Sequence, residues 1–284
     1  VDNQRSPLNS PTDCDQVSDQ LWIVVPSCDA YQDLWQPFFS LLFRYWPDCP
    51  YPIALFSNSL KYEDPRITNI SVGGDRSDWS GRLARGLTQT PSHNVLLILE
   101  DFFFRSPVIQ SRVAKAFRDF IALQANCLRL IPRPAPSDTA HPADYANIGT
   151  ITVGTPYRVS TQAAIWKKEI LLSLLKPGES IWNFELDGTD RCAQFSNGFY
   201  GTTDHVLTYR HHVVEKGRWF PWSAREFGQQ NIGCDFSRRA VMTPTQALRW
   251  TVRKSLSWPK SFIPWSIRRA ARQLISTTSL RGSI

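Results

Sequence analysis

At 284 residues the chain is long enough for one large α/β domain with a small appendage, and its 42% hydrophobic and 20% charged residues are those of a globular protein rather than a disordered one. No apolar run approaches the ~18 residues of a membrane span, and residues 1–20 hold no apolar segment of the kind a signal peptide needs. Six scattered cysteines (Cys14, Cys28, Cys49, Cys127, Cys192, Cys234) lack metal-ligand spacing and read as reduced thiols of a cytosolic protein. The formal charge of +7 is unevenly placed: after Asp235 there are ten basic residues and no acidic one. An anionic partner for residues 236–284 is therefore expected.

Residues 1–20 read as a flexible lead-in. Leu21 to Val25 is a short buried strand that ends in Pro26-Ser27-Cys28-Asp29. A helix with Leu34, Phe38, Leu41, Leu42 and Tyr45 on one face follows, and Pro47 and Pro50 stop it. Pro52 to Phe56 and Ile67 to Val72 read as further strands, the first ending in Ser57-Asn58-Ser59. Asp78 is placed to cap a helix from Trp79 to Leu87 that carries Arg82 and Arg85.

The run Asn94-Val95-Leu96-Leu97-Ile98-Leu99 is apolar on both faces, as a strand inside a parallel sheet must be. Glu100 and Asp101 follow at once, where ligands bind in open α/β sheets. A carboxylate pair there can hold a metal, meet a ribose hydroxyl or simply cap the helix that comes next. Strands are expected at Cys127–Ile131 and Ile148–Val153, with a helix from Thr161 to Leu175 capped by Ser160. Ser180 to Arg191 sets Glu185, Asp187 and Asp190 beside Trp182 and Phe184. That pattern suits either a general base among sugar-stacking rings or an acidic helix start. The alternation of strand and helix predicts an α/β, mostly parallel sheet flanked by helices.

The order of these pieces resembles the GT-A glycosyltransferases, in particular inverting, family-2-like enzymes of bacterial surface polysaccharide synthesis. The resemblance covers residues 21–220 and rests on Val24-Val25-Pro26-Ser27-Cys28-Asp29, Trp79-Ser80-Gly81-Arg82, Leu99-Glu100-Asp101-Phe102, Ala163-Ala164-Ile165-Trp166-Lys167-Lys168 and Trp182-Asn183-Phe184-Glu185-Leu186-Asp187. It implies a Rossmann-like catalytic domain at 21–235 that takes a nucleotide-sugar. Pro26, Ser27, Asp29, Asn58, Trp79, Arg82, Glu100 and Asp101 would face the donor, and Trp182 and Phe184 the acceptor. Glu185 or Asp187 would be the base, and Mn²⁺ or Mg²⁺ would sit on Glu100 and Asp101 with His211 or His212 as a late ligand. Phe102 stands where the family's DxD motif has its second acid.

Tyr209-Arg210-His211-His212 and Lys216-Gly217-Arg218-Trp219 are candidates to close over the leaving group. In the tail, Leu248, Val252 and Leu256 form one apolar stripe and Ile267, Ala270, Ala271 and Leu274 another, with arginines beside both and Trp258, Phe262, Ile263 and Trp265 between. Basic amphipathic helices with interfacial Trp predict peripheral attachment to the inner face of a membrane. No nucleic-acid-binding motif accompanies the charge. The expected function is transfer of a sugar to a glycan or lipid-linked acceptor. The alternatives are a non-catalytic domain of the same fold that binds a partner or membrane, and a nucleotidyltransferase, which would want a Gly-rich basic loop after the first strand.

Overall fold

The computed structural model describes residues 21–138, 145–211 and 213–257, with side chains described to residue 252. A mixed eight-stranded sheet carries the fold, in the order β3-β2-β1-β4-β8-β6-β9-β7. The strands are β1 (Leu21–Pro26), β2 (Ile53–Ser57), β3 (Ile67–Ser71), β4 (Asn94–Leu97), β6 (Cys127–Arg129), β7 (Ile148–Thr150), β8 (Ala164–Lys167) and β9 (Phe199–Thr202); a short β5 (Phe103–Phe104) pairs outside the sheet with β10 (Tyr209–Arg210). β1, β2, β3 and β4 run parallel, with Ile23 opposite both Ile53 and Leu96. Each is almost wholly apolar where it is central, as burial under helices on both faces requires.

The expected helix at Thr161–Leu175 is instead a strand followed by a shorter helix. β8 lies between β4 and β6, antiparallel to both, with Ile165 opposite Leu96 and Leu128. The physical reason is that Ala163, Ala164, Ile165 and Trp166 are all buried. A run apolar on both faces fits a central strand, whereas a surface helix needs a polar side. Only Lys168–Leu174 is helical (α4).

Helices α1 (Gln32–Tyr45), α2 (Trp79–Gln89) and α3 (Gln110–Ala122) pack their apolar faces on the sheet; α1 buries Leu34, Phe38, Leu41 and Leu42 at the spacing of one helix face. Asp78 caps α2 by accepting from the Gly81 N–H at 2.8 Å and also accepts from the Gly178 N–H at 2.7 Å, which ties α2 to the loop before α5 (Ile181–Arg191). Gly86 brings α2 close to the sheet: a Cβ there would stand 2.3 Å from the Phe56 ring. α5 starts at Ser180, whose side chain accepts from the Asn183 N–H.

The chain after β10 folds back on this body. β11 (Val214–Glu215) and β12 (Arg218–Trp219) form a hairpin whose two turn residues, Lys216 and Gly217, have φ of 50° and 73°. Positive φ at both positions is the tight hairpin turn that matches strand twist, and Lys216 holds it without being a glycine. Helix α6 (Pro221–Gly228) follows. Trp219 then exchanges backbone hydrogen bonds with Ala240 and Met242, and Arg239 is buried against Asp33 of α1 at 2.7 and 2.8 Å. Residues 239–247 thus belong to the packed body, beyond the boundary at 235 expected from charge alone; Arg239, Met242 and Ala247 are all buried. The last described element is α7 (Pro244–Ser257). No described helix is long and apolar enough to cross a membrane. Five cysteines are unpaired, and Cys14 and the stretch from Trp258 to Leu274 lie outside the described residues.

Candidate functional site

A cavity of about 740 Å³ opens at one edge of the sheet. Because β8 is reversed, the C-terminal ends of β1, β4 and β6 and the N-terminal end of β8 meet at that edge. The strand order lays the lining out in sequence: Pro26, Ser27 and Cys28 after β1, Leu99 to Phe102 after β4, Ser160 to Gln162 before β8, and Arg133 and Pro134 after β6. Tyr31, Arg76, Trp79 and Arg82 close the β1 side, and Ile181, Trp182 and Glu185 of α5 close another wall. The hairpin contributes Val214, Glu215, Lys216 and Gly217, and His211 precedes it.

Glu100 and Asp101 sit between the two sides. Burial pushes the Glu100 carboxyl up to about 7, against the pull of a hydrogen bond from Ser27 and of the Arg82 and Arg239 charges. Ser27 is held for that contact by Trp35, whose Nε1–H donates to its Oγ at 2.8 Å. Asp101 is raised well above the usual carboxylate range by burial, then by the charge of Glu100, with Glu215 adding to it. As a residue Asp101 is half-buried, yet its Oδ1 is sealed from solvent and has no hydrogen-bond partner. An orphaned buried carboxylate oxygen beside a second carboxylate fits a small, hard divalent cation that takes its remaining ligands from phosphate and water. Among the described residues no group of three or more His, Cys, Asp or Glu is arranged to hold a metal ion. Phe102 brings no carboxylate to the third motif position: its ring stacks on Tyr209 at 4.7 Å with 9° between planes.

Arg82 is buried and donates to the Ser27 carbonyl, while its Nε lacks a partner. It holds the β1 turn and still presents a cation to the cavity. Arg85 instead donates to the Val72 carbonyl at 2.7 Å and bridges to Asp78 at 3.5 Å, outside the cavity. Asp29 and Asn58 also lie off the lining. The Asp29 carboxylate accepts from the Asn58, Ser59 and Leu60 N–H groups and the Ser59 hydroxyl, and Asn58 Oδ1 accepts from the Asp29 N–H. Partial burial pushes Asp29 up, but these bonds together hold it below the usual range. The pair splices two loops rather than standing open to a ligand.

On α5, Trp182 and Glu185 are three apart and share the face turned to the cavity. Phe184 faces the core, 1% exposed and 5.4 Å from the Trp79 ring, so it is a packing residue and not an acceptor contact. Asp187 is exposed and off the lining, which separates it from Glu185. Glu185 Oε1 accepts from the Thr161 N–H at 2.7 Å, Thr161 Oγ1 at 2.8 Å and Ser160 Oγ at 3.4 Å. His211 lines the cavity; His212 lies outside the described residues.

Tyr31, Arg76, Arg133, Tyr157, Gln162 and Glu215 line the cavity without a motif to announce them. Tyr31 is flanked by guanidinium groups, Arg239 at 4.4 Å and Arg76 at 5.4 Å from its ring. Ser160 and Thr161 carried a signal, since they open the segment that begins β8, but the helical reading of that segment hid it.

No family model matches the chain, and no curated protein matches it. Solved structures do. Residues 1–349 of TarS from S. aureus are similar over 68% of this chain and 61% of that one, at 12% identity and a TM-score of 0.47. The chain thus spans less than two thirds of that structure. Glucosyl-3-phosphoglycerate synthase from Mycobacterium tuberculosis, in complex with Mn²⁺ and UDP-glucose, is similar over 84% of this chain and 86% of that one, at 14% identity and a TM-score of 0.43. These are likenesses of fold.

Proposed function

We propose that the protein is an inverting, hexosyltransferase-type glycosyltransferase that moves a sugar from a nucleotide-sugar to an acceptor hydroxyl. One observation carries this reading: a single cavity is lined both by a carboxylate pair in which Asp101 Oδ1 is buried without a partner and by a firmly held carboxylate beside an exposed Trp. Glu185 takes the proton of the acceptor hydroxyl as its oxygen attacks the anomeric carbon and the bond to the nucleoside diphosphate breaks. The three hydrogen bonds to Oε1 fix the carboxylate's direction. Trp182, on the same helix face, supplies a surface for a sugar ring.

Asp101 and Glu100 would hold Mn²⁺ or Mg²⁺, and His211 is on the same cavity lining; when bound, such an ion neutralises the departing diphosphate. Arg82 and Lys216 add positive charge on the same cavity. Donor contacts fall to Pro26, Ser27, Trp79 and Arg82, with Asp29 and Asn58 shaping the loops behind them. The acceptor we assign is a surface glycan or a lipid-linked one, met at the cytoplasmic face of a membrane.

The test is a thermal-shift panel of nucleoside diphosphates and nucleotide-sugars with and without Mn²⁺. One nucleotide family should raise the melting temperature, since a ligand at a hundred times its Kd stabilises by about 2.7 kcal/mol. The Mn²⁺-dependent part should vanish in Asp101→Asn. No shift with any nucleotide, or no release of sugar from any donor, would end the transferase reading in favour of a non-catalytic domain.

A further inference from the structure

Tyr209 joins the two carboxylate-bearing sides of the cavity. Its ring stacks on Phe102, the residue after Asp101, and its hydroxyl reaches the segment before β8, where Thr161 holds Glu185. The hydroxyl oxygen accepts from the Ala163 N–H at 3.0 Å, and its one proton goes to the side-chain oxygen of Gln162, also at 3.0 Å. Burial pushes the Tyr209 hydroxyl up, so the proton stays on it. The direction of the Gln162 amide follows. Were its NH₂ turned to Tyr209, that proton would have no acceptor, so Oε1 faces Tyr209 and Nε2 points away from it. Nε2 has no partner among the described residues and is not sealed from solvent. Gln162 is half-buried and lines the cavity.

We propose that Gln162 binds the transferred sugar, donating from Nε2 to one of its hydroxyl oxygens, and that Tyr209 is the positioning residue that aims the amide. This rests on the transferase reading and adds to it the contact with the sugar itself. In a single displacement the sugar has to bridge the departing diphosphate and the base that activates the acceptor. Leu97 of β4 stands opposite Ala164 of β8, so the residues that follow β4, Glu100 and Asp101, and those that precede β8, Ser160 to Gln162, share one stretch of the sheet edge. The Ser160 and Thr161 hydroxyls donate to Glu185. Gln162 alone of the three keeps side-chain donors for a ligand. A neutral amide recognises a sugar oxygen without adding charge between the acidic pair and the base, and an amide already held at one end loses little freedom on binding.

The experiment is calorimetric titration of the full chain, with Mn²⁺ present, by UDP, GDP, ADP and dTDP and by the glucose conjugate of each. Gln162→Met should weaken binding of the glucose conjugate roughly tenfold, the loss of about one hydrogen bond, and leave binding of the matching diphosphate within about twofold. Tyr209→Phe keeps the ring on Phe102 but releases the amide, so the conjugate should weaken by about two- to fivefold. The double variant Gln162→Met, Tyr209→Phe should bind the conjugate no more weakly than Gln162→Met alone, because Tyr209 acts on the sugar only through the amide. It also removes both ends of the hydrogen bond, and so serves if Gln162→Met alone folds poorly. Equal weakening of diphosphate and conjugate by Gln162→Met, weakening of neither, or additive losses in the double variant would overturn the proposal and leave the transferase reading standing. Binding of none of the diphosphates by the unchanged protein would end that reading and this inference with it.

Discussion

Two sets of carboxylates line one cavity and are held in opposite ways. Glu185 is surrounded by donors: a backbone N–H and two hydroxyls point at a single oxygen. In the other pair Glu100 is met by Ser27, whereas Asp101 Oδ1 has no partner at all. The donors aim the Glu185 carboxylate in one direction. Burial outweighs the Ser27 hydrogen bond at Glu100 and, with the charge of Glu100, raises Asp101, so both carboxyls stand above the usual range. The same side-chain chemistry is thus prepared for two tasks by what surrounds it.

The comparison breaks most sharply at Glu185. Glu185→Gln keeps the size and most of the hydrogen bonds but cannot take a proton. Turnover should fall by about 10²- to 10⁴-fold while nucleotide affinity, read by calorimetry, stays put. Near-normal turnover would remove Glu185 from the reaction and return the choice of base to residues off this wall.

Glu100→Gln should show the reverse pattern, a gain in stability with a loss of function. The folded-state carboxyl lies at about 7 against 4.5 for a free one, so between those values the folded chain keeps a proton that the unfolded chain gives up. Stability therefore falls as pH rises from 4.5 towards 7, and the whole cost is present above that. In the metal-free protein at pH 8 the variant should be more stable by up to roughly 2–3 kcal/mol, with no gain near pH 4. Urea titrations at the two pH values would measure it; an equal change at both would mean that packing and not ionisation is responsible.

Thr161→Val is the gentlest probe. It removes the hydroxyl bond to Glu185 at 2.8 Å and leaves the backbone bond at 2.7 Å. A loss of about 1 kcal/mol, near fivefold in turnover, is expected. An effect as large as that of Glu185→Gln would show that the hydroxyl itself takes part in the chemistry.

The side of the cavity that holds the acidic pair was the more legible in sequence. Leu96 to Leu99 is apolar on both faces and is followed by two acids, so strand and site lie in one contiguous stretch. Asp78, four residues before Arg82, marked its helix by capping chemistry that needs only local residues. The side around Glu185 was harder because its parts come together only in space. Ala164–Lys167 pairs with Asn94–Leu97 and Cys127–Arg129, and nothing in its own residues says which strands will flank it. Phe184 and Glu185 are neighbours in sequence, yet one faces core and the other cavity, a distinction fixed only by the roll of α5 against α2. Asp29 looked open to a ligand because the three backbone N–H groups that occupy it come from residues 58–60. Arg239 was counted with the charge of the tail, since a buried partner as far off as Asp33 leaves no trace in local pattern.

The bond between Asp33 and Arg239 joins residues 206 apart in the chain. Arg239 also reaches the Ala30 carbonyl at 2.8 Å and stacks on Tyr31, both beside the β1 turn at the cavity. During synthesis the N-terminal strands emerge first, and contacts of such separation form last. The β1 turn therefore waits for a residue made 206 positions after Asp33 before this second brace is in place. A chain cut short before residue 239 would lack the counter-charge of Asp33 and the bond to the Ala30 carbonyl, and so leave the loop after β1 without this clasp.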